Sequence, residues 1–166
     1  MSSEKKYILD QPAAERKLRR MALEIIENNP DTTEIILAGV RGSGTVVARR
    51  IQQHLAEYST LSVRIISITL DKKNPVDVTL SEDLDYNNKV IIITDDVANS
   101  GRTLLFALKP FLAFHPARIQ ALVLVQRTHN NFPVHPDYIG IPIATTLQDH
   151  IIVETEGEWV TGAYLE

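Results

Sequence analysis

The stretch Val90-Ile91-Ile92-Ile93-Thr94-Asp95-Asp96-Val97-Ala98-Asn99-Ser100-Gly101-Arg102-Thr103 decides the fold. Val90 to Ile93 is the continuous apolar run of a strand buried on both faces. Two carboxylates follow, then a short polar turn, then helical spacing over about Thr103–Phe114. In an open α/β sheet, ligands bind beyond the carboxyl ends of the strands. There the turn offers backbone N–H groups from Asn99 to Thr103, the hydroxyls of Ser100 and Thr103, and Gly101 where backbone must come close. Such a turn is an anion cradle of phosphate size. Asp95 and Asp96 can accept hydrogen bonds from vicinal sugar hydroxyls, directly or around Mg²⁺, so a sugar phosphate suits both halves. As neighbours on a strand, the two side chains are expected to leave the backbone in opposite directions and to do separate jobs. The plain alternative is a solvated acidic rim with Ser100 or Thr103 as a helix cap.

Outward from this stretch the same strand–helix alternation recurs. Asp10-Gln11-Pro12 starts a helix as N-cap and first-turn proline. Leu18, Met21, Ala22, Ile25 and Ile26 form its apolar stripe, and Asn28-Asn29-Pro30-Asp31 stops it. Glu34–Gly39 reads as a buried strand, and the turn Arg41-Gly42-Ser43-Gly44 leads into a helix with Val47, Ile51 and Leu55 on one face. Val63–Leu70 and Ile119–Val125 are further strands, while the polar segment Asp71–Asn88 reads as a loop or small hairpin. Alternating strands and helices imply an α/β fold, a central parallel sheet flanked by helices. From Gln126 the chain breaks into pieces at Pro133, Pro136, Gly140, Pro142, Gly157 and Gly162. Residues 126–166 are therefore expected as a small C-terminal appendage of loops and short strands over one sheet edge, with Trp159 and Tyr164 packing it down.

With 166 residues, 44% hydrophobic and 23% charged, the chain is expected to be one soluble globular domain, 1–166, rather than a disordered one. It has no cysteine, which excludes disulfides, thiolate metal sites and cysteine nucleophiles. Met1-Ser2-Ser3-Glu4-Lys5-Lys6 is followed by no apolar signal segment, so a cytoplasmic location without membrane contact is expected. A net charge of -4 disfavours general nucleic-acid binding. His115, His129, His135 and His150 lack the paired spacing of metal ligands.

A hydrophobic strand, an acidic pair, four residues and then Gly-x-Thr resembles the 5-phosphoribosyl-1-pyrophosphate (PRPP) signature of type I phosphoribosyltransferases. Here it stands as Asp95 to Thr103. Ile8-Leu9-Asp10, Leu37-Ala38-Gly39-Val40-Arg41, Ile68-Thr69-Leu70, Ala121–Val125 with Arg127 and His129, and Pro136-Asp137-Tyr138-Ile139-Gly140 extend the likeness over nearly the whole chain. Together they are similar to the bifunctional pyrimidine-operon attenuator and uracil phosphoribosyltransferase family. The resemblance implies a type I phosphoribosyltransferase fold with a C-terminal hood. It further implies transfer of the phosphoribosyl group of PRPP to a pyrimidine base, uracil, with release of pyrophosphate, Mg²⁺ as cofactor, and a homodimer. It places Asp95, Asp96 and Arg41 at the catalytic centre. Asp95, Asp96, Ala98, Asn99, Ser100, Gly101, Arg102 and Thr103 would lie on the ribose and 5′-phosphate, with the acidic pair contacting the metal indirectly. Arg41, Gly42, Ser43 and Gly44 would lie on the pyrophosphate, and Arg127 and Ile139 in the hood over the base. Glycines that let amides converge, beside a guanidinium, make physical sense at a pyrophosphate.

The chain departs from that family in one place. Only Asp71-Lys72-Lys73-Asn74-Pro75 separates Leu70 from Val76-Asp77-Val78-Thr79-Leu80, where the family carries a longer loop that closes over the site. Lys72 and Lys73 can still reach a pyrophosphate. Two alternatives follow: a catalytically weak PRPP- or nucleotide-binding protein, and an RNA-binding attenuation regulator. RNA is disfavoured as a partner. Arg16, Lys17, Arg19 and Arg20 cluster on the first helix and Arg49-Arg50 on the second, but Arg16, Lys17 and Arg20 read first as a wet helix face. Gln126–Asn131 lacks the additional basic residue that the resemblance implies beside the histidine for RNA binding, and Thr145-Thr146-Leu147-Gln148-Asp149-His150 is poor in lysine.

Overall fold

The structure, a computed structural model, describes residues 4–146 and 149–166; Met1 to Ser3, Leu147 and Gln148, quoted above, lie outside the described residues. Asp10 closes a first strand, β1 (Lys6–Asp10), and its Oδ1 accepts the Ala13 N–H at 2.8 Å to cap α1 (Gln11–Asn28). Helix α1 buries Leu18, Met21, Ala22 and Ile25 of the expected stripe together with Ala14, while Ile26 is half-buried against the core. Strand β2 (Glu34–Val40) then enters the core, and α2 (Ser43–Tyr58) covers it with Val47, Ala48, Ile51 and Leu55.

The central sheet has six strands, with β3 (Ser62–Thr69), β4 (Thr79–Leu80), β5 (Val90–Ala98), β6 (Arg118–Arg127) and β7 (Tyr138–Ile143) in the order β4-β3-β2-β5-β6-β7. It is parallel except at the β4 edge, where Ile68 and Thr69 pair antiparallel with Leu80 and Thr79. A second sheet joins β1 to β9 (Trp159–Leu165) and β8 (Ile151–Glu156), antiparallel throughout. One apolar cluster fills the space among α1, α2 and both sheets, and a second lies on the opposite face of the central sheet around Phe111 and Tyr86.

Four features differ from the sequence reading, each for a physical reason. Residues 126–166 are not one appendage over an edge: β7 is the sixth strand of the central sheet, paired parallel with β6, and only β8 and β9 leave to join the N-terminal β1. Strand β5 continues past Thr94 through Ala98, because β6 is long enough to pair with Asp95, Val97 and Ala98. The helix expected to reach Phe114 ends as α3 (Arg102–Ala107) and continues as a 3₁₀ turn, Lys109–Ala113, since Pro110 has no N–H to donate. Trp159 remains 45% exposed and packs against Arg50, whose guanidinium lies 4.0 Å from a ring centroid; Tyr164 is buried as expected.

Candidate functional site

The strand order reverses between β2 and β5, for β2 connects outward through α2 to β3 while β5 connects the other way through α3 to β6. Ligands in such sheets sit at this switch point, in the crevice beyond the strand ends. Here the two segments that flank it are Arg41–Gly44, entering α2, and Asp95–Thr103, the end of β5 with the turn into α3.

They touch at Gly44. A Cβ built there would come 2.8 Å from the Thr94 carbonyl oxygen and 3.3 Å from Asp95 Oδ1, so only glycine lets the first turn of α2 lie against the acidic pair. Thr94 Oγ1 donates to the Gly44 carbonyl at 2.9 Å and fixes the contact. Arg41 is exposed, with its backbone N–H on the Ile68 carbonyl at 2.9 Å. Gly42 turns with φ 97° before α2 begins at Ser43.

The second loop is built around Gly101, which has φ 87° and ψ -1°. A side chain there would be strained by the backbone conformation and would meet Asn130 Oδ1 at 2.6 Å and the Val134 carbonyl at 3.1 Å. The Asn131 and Phe132 N–H groups donate to the Ser100 carbonyl, and Ser100 Oγ accepts the Arg102 N–H at 3.3 Å. Residues Val97 to Leu104, with Lys72, line a cavity of about 210 Å³. Asn99, Ser100, Gly101 and Thr103 thus share one concave surface of amides and hydroxyls, the chemistry that holds a phosphate. Ala98 is buried at the end of β5. The Arg102 side chain donates to the Lys73 carbonyl at 2.9 Å.

Asp95 is 1% exposed, while Asp96 is half-buried. Each Oδ1 folds back on the chain, Asp95 accepting the Asp96 N–H at 2.9 Å and Asp96 accepting the Val97 N–H at 2.7 Å. The expected division of labour is nevertheless incomplete, because one cation reaches both: Lys72 Nζ lies 3.3 Å from Asp95 Oδ2 and 3.8 Å from Asp96 Oδ1. Burial, and then the neighbouring Asp96, push Asp95 up to about 8 against the pull of Lys72. Burial alone would lower the Lys72 ammonium, but the two carboxylates outweigh it and leave it above the usual lysine value. The sequence leaves Lys72 either a solvated turn lysine or one able to reach a pyrophosphate; in the structure its ammonium lies on the acids.

Of the two residues assigned to a hood, Arg127 donates through Nη2 to the Thr146 carbonyl, next to a 2.9 Å contact of His129 Nε2 with the Thr145 carbonyl. Ile139 lies in β7, paired with Val123, and its side chain packs against the second apolar cluster. Of the basic residues weighed for RNA, Arg20 is occupied by the Ile139 and Gly140 carbonyls and Arg50 by Glu15, while Arg16, Arg19 and Arg49 stay exposed.

Comparison with known proteins agrees with this architecture. A family model described as phosphoribosyl transferase domain matches residues 4–156. A protein named bifunctional protein PyrR, from Streptococcus pneumoniae (strain CGSP14), is 36% identical over 155 residues, covering 90% of this chain and 89% of its own. Among solved structures, a hypoxanthine-guanine phosphoribosyltransferase from Bacillus anthracis superposes with a TM-score of 0.78 at 19% identity, covering 98% of both chains. The hypoxanthine phosphoribosyltransferase of Trypanosoma cruzi does so at 0.80 and 13% identity, covering 96% of this chain and 95% of its own. At these identities the two structures are alike in fold.

Proposed function

This chain belongs to the phosphoribosyl transferase domain family, and from that premise we propose that it transfers the phosphoribosyl group of PRPP to uracil. The observation that carries the reading is the meeting of the Gly44 turn with Asp95 at the sheet's switch point, beside the cavity lined by Val97 to Leu104. Two anion-suited loops and an acidic pair in one crevice match a ligand with a phosphate at each end of a sugar.

In the reaction a base nitrogen forms a bond to C1 of the ribose as the bond from C1 to pyrophosphate breaks; the electron pair of that bond leaves with the pyrophosphate, and the proton of the base nitrogen passes to the pyrophosphate or to water. Little proton transfer is asked of the protein, so positioning and charge stabilisation supply the rate. The amides and hydroxyls of Asn99 to Thr103 hold the 5′-phosphate, and Asp95 and Asp96 accept from the ribose hydroxyls. Arg41, with the Gly42–Gly44 turn, faces the departing pyrophosphate, where a fork of permanent charge suits its oxygens. Arg127 and Ile139 belong to the side where the base enters. Among the described residues no three His, Cys, Asp or Glu side chains converge as a metal cage. Two carboxylates do fit Mg²⁺ completed by phosphate oxygens and water. When bound, Mg²⁺ offsets charge on the pyrophosphate.

The test is purified protein with PRPP, Mg²⁺ and a panel of bases. UMP and pyrophosphate formed from uracil support the reading; a product only from hypoxanthine or guanine shifts it to a purine, and no product with any base refutes transfer. The pneumococcal relative's name, bifunctional, keeps leader-RNA binding as a second reading, for which Arg16, Arg19 and Arg49 are exposed helix cations and a salt-dependent gel shift is the assay.

A further inference from the structure

We propose that Lys72 is a tethered occupant of the sugar-hydroxyl site: its ammonium holds the Asp95–Asp96 pair, and a ribose must displace it to reach those carboxylates. The inference rests on the phosphoribosyl reading of the site. Its first support is position. The ammonium is 3.4 and 3.3 Å from the two Asp95 carboxylate oxygens and 3.8 Å from Asp96 Oδ1. Oxygens of both acidic side chains face the ammonium, and a ribose diol approaching from the cavity would compete for the same lone pairs.

The second support is cover. Lys72 lines the cavity together with Val97 to Leu104, and neither carboxylate does. The cradle is therefore open to a phosphate, and Lys72 is the residue that borders it and also reaches the acids. The third is the tether. Lys72 sits in the short turn after β3, where the Lys73 N–H bonds Asp71 Oδ1 at 2.9 Å and the Asn74 N–H bonds the Asp71 carbonyl at 3.1 Å. Arg102 pins the Lys73 carbonyl at 2.9 Å and Lys109 the Val76 carbonyl at 2.8 Å, so the turn is tied to α3 and the 3₁₀ segment. A cation on so short a tether competes as an intramolecular group rather than as a free ion. The Lys72 side chain is 50% exposed and that of Asp95 2%, so the lysine is the partner with room to leave.

The site would then distinguish two parts of one ligand. Phosphate binds without moving Lys72, whereas a sugar diol binds only at the expense of the Lys72 contacts with the acidic pair. Calorimetric titration of inorganic phosphate and of ribose 5-phosphate tests this on the wild-type chain, Lys72→Met and Lys72→Gln. Loss of one positive charge weakens both phosphates alike, so the ratio of the two dissociation constants isolates the diol. Preference for ribose 5-phosphate is expected to rise about fivefold in both variants, the scale of one half-exposed ion pair. An unchanged or reduced preference in folded variants that bind both ligands overturns the occupancy and leaves the phosphoribosyl reading standing. If wild type and variants bind neither ribose 5-phosphate nor PRPP, the phosphoribosyl reading itself fails, and this inference with it.

Discussion

Replacing Asp95 with asparagine should remove a loss of stability that the wild-type chain suffers as pH rises. Burial and Asp96 push this carboxyl up to about 8, from 3.8 for a free aspartate. Between those values the folded chain holds a proton that the unfolded chain has released, so raising the pH favours unfolding. The stabilisation is complete below about pH 4, declines as pH climbs, and is gone above about 8. One whole proton is worth about 1.4 kcal/mol per pH unit. Because Lys72 and Asp96 share the charge, a slope of about 1 kcal/mol per unit is expected between about pH 6 and 8. Asparagine keeps an oxygen for the Asp96 N–H and has no proton to lose. Urea unfolding of both chains from about pH 6 to 9 would show the wild type falling about 2 kcal/mol further than Asp95→Asn, or roughly 5 °C in melting temperature. Other groups titrate in both proteins and cancel in the difference. Parallel curves would refute the reasoning, for they would mean that Asp95 is ionised in the fold throughout this range.

Gly101→Ala should cost about 2–3 kcal/mol and lower the melting temperature by about 4–10 °C, combining left-handed strain with crowding against Asn130 and the Val134 carbonyl. Calorimetry and phosphate titration check it, since the same change should displace the amides of the cradle; an unaltered melting temperature would contradict the turn geometry. Arg20→Met should cost about 1–2 kcal/mol by removing the bonds at 2.9 and 2.8 Å that tie α1 to the Ile139 and Gly140 carbonyls of β7. Urea denaturation reads this directly, and a loss below about 0.3 kcal/mol would show those bonds to be replaced by water.

What was legible in the sequence was whatever repeats with the period of an element or sits in a contiguous motif. The stripe from Leu18 to Ile26 and the run Val90–Ile93 each face a continuous core, so local pattern and tertiary burial agree. The contiguous loop Asp95–Thr103 was legible because strand end, turn and helix start lie within one stretch. Three features were hidden because their causes are distant in sequence. Strand β7 is broken by Gly140 and Pro142, yet it is held in the sheet by β6 and by Arg20 from α1, neither of which its own residues announce. Tyr86 lies in a segment polar enough to pass for a loop, but it is buried edge-on against Phe111 and Phe114, 5.2 Å from each ring.

Lys72 is the third and the most consequential for the site. A lysine in a polar turn carries no signal of which anion it will meet, and in the chain Asp95 stands well beyond it. The sheet order closes that gap: β3 and β5 both flank β2 and run parallel to it, so the turn after β3 and the end of β5 emerge on the same side, one strand apart. Parallel order thus brings the ammonium to the acids, and burial of Asp95 makes a cation there valuable, because two carboxylates so near each other repel when nothing lies between them. A longer loop at the same place could carry its lysines elsewhere. The short turn, tied down by Arg102 and Lys109, leaves Lys72 within reach of the acidic pair and so makes loop length itself a determinant of what the ribose must displace.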